Sequence, residues 1–431
     1  MTRRRGLICA FASAPLAAAL VWACSSDDAP PADRSPMDIG TLVALSGDLS
    51  GTGTDNRDAQ NLAVEQINAA GGVLGRPLRF LVEDDKTTAE GARSGYSSLI
   101  ARKVSIIIGP SSSSQIVSIA DLIANSATPT IGRTSTSPLL TDLADGDFFF
   151  RVAPSDVYQS RVLASLIESA KVDKLCLVNR DDTYGTRLAD ETVGRLAKSI
   201  AVTRAPYNPN VQDLSNVLAP CQSMICDTAD AGGAPCDDSK VGLLMVTFVS
   251  DGVSILSNAK GWSAKKQKLF FTDGARDVEL LKRGLADVLE GASGTHPSGP
   301  DPTSAEGALL AEYRSAFQKR YGVTAPVFSE NAFDAVYLSA AALEIAGPNA
   351  SGATIRDALR KTSTEGGTPV RAGNWAEIRE AIRSGKPIDY RGVTGEAAFD
   401  DHGDLKPPYY YRVWRISNGE SITERIEQVT Q

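Results

Sequence analysis

The chain runs to 431 residues, of which 42% are hydrophobic and 22% charged, and that is longer than one hydrophobic core usually serves, so two domains are expected. Its formal charge of −8 argues against a nucleic-acid partner, because an acidic surface repels phosphates and no basic stripe with interleaved aromatics occurs. The chain holds two histidines, which leaves a Ser/His/Asp mechanism almost without a base and points away from an enzyme.

At the start, Arg3, Arg4 and Arg5 precede the apolar run "GLICAFASAPLAAALVWA", then Cys24 and the polar stretch "SSDDAPPADRSP". Residues 1–23 therefore read as an export signal and 24–36 as a tether. The apolar run is short and broken by Pro15, a poor membrane span. Removing it takes away three arginines and no acid, so the remainder is more acidic still. "VWAC" resembles the lipobox of bacterial lipoproteins, which implies lipidation of Cys24 and a tether to a bacterial membrane facing the periplasm or the exterior. Simple secretion with cleavage nearby is the alternative.

From Met37 the pattern alternates strand and helix. "DIGTLVALSG" reads as a strand, "DNRDAQNLAVEQINAAGG" as a helix closed by glycines, "PLRFLVEDD" as a strand, "TAEGARSGYSSLIAR" as a helix and "VSIIIG" as a buried strand, with "TPTIGR" and "DFFFRVAPSD" following. A second series runs through "SRVLASLIESA", "KLCLVNRD", "TRLADETVGRLAKSI", "VTRAPYN", "VGLLMVTF", "GVSILSNAKGW" and "KLFFTDG". Alternation of this kind implies parallel sheets wrapped in helices, and two series imply two α/β lobes. The polar loops "GPSSSSQ", "GRTSTS", "NRDDTYG", "TFVSDG" and "FTDGARD" all fall after strands, where open α/β sheets bind ligands, so one shared cleft is expected. Residues 290–305 read as a loop; three helices follow, then a Gly/Pro-rich stretch, a short helix and a closing hairpin around "PYYYRVWRIS". "DDHGD" lacks the alternating ligands of a calcium loop and reads as a turn.

The run "IIIGPSSSSQIV" places four serines between a strand end and a helix start. Serine-rich stretches are often plain loops. Here, unpaired amides and the positive end of the helix dipole meet hydroxyl donors, which suits a small carboxylate. Beyond Cys9 and Cys24 four cysteines remain, Cys176, Cys221, Cys226 and Cys236. In an exported chain they read as disulfides with three pairings open; a zinc site is the alternative, although no histidine is near them in sequence. No Walker loop, dinucleotide glycine fingerprint or metalloprotease helix motif occurs, so neither cofactor nor metal is expected.

"SGDLSGTGTDNRDAQNLAVEQINAAGGVLGRPLRFLVEDDKT", with "IIIGPSSSSQ", "TSTSPLLT", "FFFRVAPSD" and "DDTYGTRLAD", resembles the type I periplasmic binding proteins of ABC importers, in their leucine/isoleucine/valine-binding branch. The resemblance implies two Rossmann-like lobes joined by three crossovers, placed near Val152, Gly294 and Val393, and closing on a small ligand. Lobe 1 would hold residues 37–151 and 295–392, lobe 2 residues 152–294 and 393–431. Ser112, Ser113, Ser135 and Thr136 match the positions that hold a ligand carboxylate, Asp273 the one that holds an ammonium, and Tyr184 an aromatic that closes from lobe 2. Asp273 could otherwise be an ordinary turn or cap residue, and Tyr184 a rim aromatic. Arg133 departs from the family pattern and would add positive charge to the cleft, which keeps a dicarboxylate or a plain carboxylate open. The implied function is a monomeric substrate-binding lipoprotein that delivers a small carboxylate-bearing ligand, foremost an amino acid, to an ABC permease. The alternative is a sensory receptor that signals to a membrane kinase or chemoreceptor.

Overall fold

The computed structural model describes residues 35–225, 237–259, 261–275 and 277–430. The expected signal at 1–23, the lipidation site Cys24 with nearly all of the tether, and Cys226 and Cys236 lie outside them. Among the described residues no helix is long and apolar enough to cross a membrane.

The chain opens with β1 (Met37–Val43), α1 (Ser50–Ala69), β2 (Leu78–Asp84), α2 (Ala89–Ala101), β3 (Ile107–Ile108), α3 (Ser113–Ser126), β4 (Thr130–Gly132) and β5 (Phe149–Arg151). These strands form one all-parallel sheet in the order β2-β1-β3-β4-β5. Strands of such a sheet are covered on both faces, which is why Ile106, Ile107 and Ile108 run without alternation and are fully buried. Helix α1 begins earlier than its glycines suggest. A side chain at Gly53 would sit 1.9 Å from the Ala44 carbonyl oxygen, so glycine there lets the helix lie against the end of β1.

The second series is α4 (Asp156–Ser169), β6 (Lys174–Arg180), α5 (Thr183–Arg195), β7 (Ala201–Tyr207), β8 (Val241–Val246), α6 (Val249–Ser257), β9 (Lys268–Phe271), α7 (Asp277–Lys282), α8 (Ala286–Leu289) and β10 (Ser293–Ser298). The chain continues through α9 (Ala308–Tyr321), α10 (Ser329–Ala346), α11 (Gly352–Leu359), β11 (Thr368–Arg371), α12 (Trp375–Arg383), β12 (Ile388–Gly392) and β13 (Gly395–Glu396), and ends in the hairpin β14 (Tyr409–Ser417) and β15 (Glu420–Val429). The second sheet has seven strands in the order β15-β14-β10-β9-β8-β6-β7, and β11, β12 and β13 make a small third sheet.

Strand β10 corrects the loop expected at 290–305. It pairs in parallel with β9 and antiparallel with β14, so residues 295–298 belong to the second sheet and the chain leaves that sheet after Ser298. The sequence "SGTHPS" looks like a turn because of Gly294 and Pro297, but a side chain at Gly294 would stand 2.3 Å from the Trp414 ring. Glycine there makes room for Trp414, itself buried.

Helix α10, which is buried along almost its whole length, holds two segments distant from it in sequence. Asn331 Nδ2 donates to the Val152 carbonyl at 2.7 Å. The buried Asp334 carboxylate accepts from Tyr390 Oη (2.8 Å), the Val393 and Thr394 amides (both 3.0 Å) and Thr394 Oγ1 (2.7 Å). Cys176 in β6 is bonded to Cys221, with Cα atoms 5.7 Å apart. That bond settles one of the three pairings and removes Cys176 from any zinc site. No cluster of metal-ligating side chains occurs among the described residues.

Candidate ligand-binding site

The serine loop leaves β3 through Gly109, whose φ is +111° and where a Cβ would stand 2.2 Å from the Leu42 carbonyl oxygen, so only glycine fits. Its serines differ in what their hydroxyls do. Ser111 donates from its amide and its Oγ to the Asp85 carboxylate (3.0 and 2.7 Å), while its oxygen accepts from the Ala44 amide and from Arg133 Nη2 (both 3.1 Å). Ser112 closes a capping box with Gln115: Oγ accepts from the Gln115 amide at 3.4 Å and donates to Gln115 Oε1 at 3.1 Å. Ser114 Oγ accepts from the Thr183 amide, at the start of α5 in the second series, at 3.2 Å.

Ser113 is left in a different position. Its Oγ accepts from the Ser137 amide at 3.2 Å, so its own proton remains to be donated. The Ser113 and Ser114 amides open α3, where no helix carbonyl can reach them. A carboxylate seated there gains two amides, one hydroxyl and the helix dipole.

The loop after β4 supports this cradle more than it lines it. Thr134 faces the cleft and donates from Oγ1 to the Ser111 carbonyl at 2.5 Å. Ser135 and Thr136 are buried behind it, and Thr136 Oγ1 donates to Asp156 Oδ2 at 2.9 Å. Arg151 Nη1 holds the Thr136 and Ser137 carbonyls (3.2 and 2.8 Å), and its Nε pairs with Asp404 at 2.5 Å, in the "DDHGD" turn. Arg133 is fully buried beneath Ser111 and is not part of the cleft wall. Burial pulls its guanidinium down to about 10, against the upward pull of Asp85.

Across the cleft, Tyr184 near the start of α5 donates from Oη to Asp273 Oδ1 at 2.9 Å, and lies 2.8 Å from Thr272 Oγ1. The Tyr184 ring stacks on Phe248 with centroids 5.6 Å apart. Asp273 is buried, which raises its carboxyl to about 6, opposed by the hydrogen bond from Tyr184. Asp156 is pushed well above the carboxylate range, first by burial and then by the Asp273 charge. A cation beside Asp273 would relieve both.

Ser112, Ser113, Tyr184 and Asp273 thus meet in one cleft, whereas Ser135 and Thr136 lie behind its wall. The wall also contains Leu49, Thr52, Phe248, Gly274 and Phe328. Phe248 falls in the "TFVSDG" loop, one of the strand-end loops expected to face the cleft. Nothing local singles out Phe328, whose φ of +68° turns it inward at the head of α10.

A family profile described as periplasmic binding protein matches residues 36–402. The chain is 23% identical over 409 residues to a chemotactic signal transduction system substrate-binding protein, BasB, of Halobacterium salinarum, covering 91% of this chain and 89% of the relative. It is 24% identical to the Leu/Ile/Val-binding protein BraC3 of Rhizobium johnstonii, covering 77% of this chain and 85% of that one. Among solved structures, the branched-chain amino acid transporter substrate-binding protein LivJ of Streptococcus pneumoniae, in complex with isoleucine, superposes with a TM-score of 0.72 at 22% identity over 92% of this chain and 100% of that one. A solute-binding protein of Rhodopseudomonas palustris in complex with 3,4-dihydroxybenzoic acid superposes with a TM-score of 0.69 at 15% identity, covering 92% and 98%. The fold and the matched span agree: the chain belongs to the periplasmic binding protein family, has the type I fold, and is similar to Leu/Ile/Val-binding members.

Proposed function

We propose that this chain is an extracytoplasmic lipoprotein, tethered through Cys24, that captures an α-amino acid between two lobes and presents it to an ABC permease. The lobes are built on the two large sheets, with crossovers near Val152, just after Ser298 and near Val393. The observation that carries the assignment is the pairing of opposite chemistries in one cleft. The first-turn amides of α3 and the Ser113 hydroxyl offer donors to a carboxylate, and the buried Asp273 offers an acceptor to an ammonium. The name of the LivJ relative, and its isoleucine, support the amino-acid class.

A ligand that binds only the folded form raises stability by about 2.7 kcal/mol at a hundred times its dissociation constant. A melting-temperature screen of amino acids and small carboxylates should therefore single out the amino acids. Asp273→Ala should abolish that shift, because it strands an ammonium in a closed cleft. If plain carboxylates stabilise both proteins alike and amino acids neither, the ligand is an anion held by the serine cradle alone, as the 3,4-dihydroxybenzoic acid complex of the R. palustris relative would suggest.

The similarity to BasB favours a second assignment, a receptor that reports ligand to a signalling partner. Cells lacking the gene separate the two: an importer component loses uptake of labelled ligand, whereas a receptor loses the tactic or transcriptional response with uptake intact.

A further inference from the structure

Ser137 is fully buried and is not part of the cleft wall, yet each of its polar groups is engaged. Its amide donates to Ser113 Oγ at 3.2 Å, its carbonyl accepts from the buried Arg151 Nη1 at 2.8 Å, and its own Oγ donates to the Thr183 carbonyl at 2.9 Å. Pro138 follows it and restricts its backbone, which sits at φ −54° and ψ 135°. Thr183, on the other side, is held twice. It is the first residue of α5, the helix between β6 and β7 of the second sheet, so no carbonyl of that helix can reach its amide. The cap residue Asp182 takes the Gly185 amide at 2.8 Å, and the Thr183 amide donates to Ser114 Oγ at 3.2 Å. Both main-chain groups of Thr183 thus end on serines that belong to the loops after β3 and β4. The next residue, Tyr184, donates to Asp273 Oδ1 at 2.9 Å.

We infer that Ser137 is a positioning residue that ties the grip of α5 on the ligand to the ligand's carboxylate: it joins Ser113, which meets the carboxylate, to Thr183, which carries Tyr184 into the cleft. This rests on the carboxylate cradle proposed above and not on the ammonium end. A hydroxyl that donates to a carboxylate becomes a stronger acceptor, so a ligand on Ser113 strengthens the bond from the Ser137 amide. That bond fixes the loop whose hydroxyl holds Thr183. When the cleft opens without ligand, the Ser137 hydroxyl and the Thr183 main chain exchange these bonds for water at little net cost. The clamp therefore adds little to the empty protein and acts on the loaded one.

The test is stopped-flow dissociation from the full-length protein, with L-isoleucine as an amino-acid probe and 3,4-dihydroxybenzoate as a plain carboxylate. Ser137→Ala keeps the amide and loses the hydroxyl. It should release the bound probe about threefold faster, with association little changed. Ser137→Thr, which restores a hydroxyl, should return the rate to within about twofold of the parent. Ser113→Ala should also speed release, and adding Ser137→Ala to it should change that rate by less than about 1.5-fold, because the connection to the carboxylate is already cut. Ligand-free Ser137→Ala should melt with the parent, whereas a residue that only stabilises the fold would lower the melting temperature. Unchanged dissociation in Ser137→Ala, or the same threefold factor in the Ser113→Ala background, would overturn the inference. If only 3,4-dihydroxybenzoate binds, the result counts against the amino-acid assignment, and the same variants read with that probe still decide the role of Ser137. If neither probe binds, the carboxylate cradle falls and the inference with it.

Discussion

Ser113 and Ser112 are adjacent and chemically identical, yet the structure gives their protons different work. The Ser112 proton is spent on Gln115, while the Ser113 proton is available at the mouth of α3. Ser113→Ala should therefore weaken amino-acid binding by about 1–2 kcal/mol by calorimetry, since neighbouring amides still hold the carboxylate. Ser112→Ala should register in stability, costing about 1 kcal/mol by denaturant unfolding, as loss of a cap does. The acid across the cleft adds a pH signature. With Asp273 raised to about 6, amino-acid affinity should fall as pH drops below 6, because a protonated carboxyl no longer pairs with an ammonium; titrations at pH 5 and pH 7.5 would read this directly. In the unliganded protein the sign reverses. A carboxyl raised above its unfolded value contributes stability that is present near pH 4 and lost as pH rises through about 6, so ligand-free protein should melt lower at pH 7 than at pH 5 on this account.

At the scale of elements, the ligand loops are held by side chains far from them in sequence. Arg151 at the end of β5 is fully buried and fixes two carbonyls of the loop after β4, and its counter-charge Asp404 comes from a turn 253 residues later. Asp404→Ala should cost about 3 kcal/mol or more in unfolding experiments, because it leaves a buried guanidinium unpaired. The same change should weaken ligand binding by loosening Thr136 and Ser137. The disulfide ties β6 to the segment after β7 across a separation of 45 residues. A loop of that length corresponds to about 4 kcal/mol of denatured-state entropy, so Cys221→Ser should lower stability by up to that amount, with ligand affinity changed much less. The strand and helix periods were legible for most of these elements, because apolar runs and 3.6-residue spacing report local burial. Strand β10 was not, since Gly294 and Pro297 imitate a turn when their real reason is the Trp414 ring and the sheet partners on either side.

Across the whole molecule, three contacts join the first sheet's loops to the second's: Asp48 to Arg180 at 3.5 Å, the Thr183 amide to Ser114 Oγ at 3.2 Å, and Ser137 Oγ to the Thr183 carbonyl at 2.9 Å. On the proposed two-lobe reading such contacts form only in the closed state, so they bear on how long a ligand stays. Asp48 is exposed and Arg180 keeps its closer partners Asp182 and Asp251 without it, so this pair contributes at most about 1 kcal/mol, and Asp48→Ala should raise the ligand off-rate only a few-fold in stopped-flow measurements. Ser137→Ala should do the same. The proposed tether has its own test: if Cys24 carries the lipid, Cys24→Ala should move the protein from the membrane to the soluble fraction with ligand affinity intact, since lasting attachment needs more than one acyl chain and a lipidated cysteine would carry them.

By itself the sequence determined the two α/β series and the polar loops at strand ends, because strand–helix periodicity and loop position follow from local pattern; the choice of Ser113, Tyr184 and Asp273 within those loops came from the family resemblance. Tertiary structure decided which serine proton is free, that Ser135 and Thr136 stand behind the wall, and that Arg133 pairs with Ser111 beneath the cleft instead of facing it. It also decided the inward turn of Phe328. The physical reason is common to all of these. A hydroxyl or guanidinium is a donor wherever it stands in the chain, but which acceptor consumes it depends on residues brought close only when the sheets pack, as Asp85, Ala44 and Ser137 are around the serine loop.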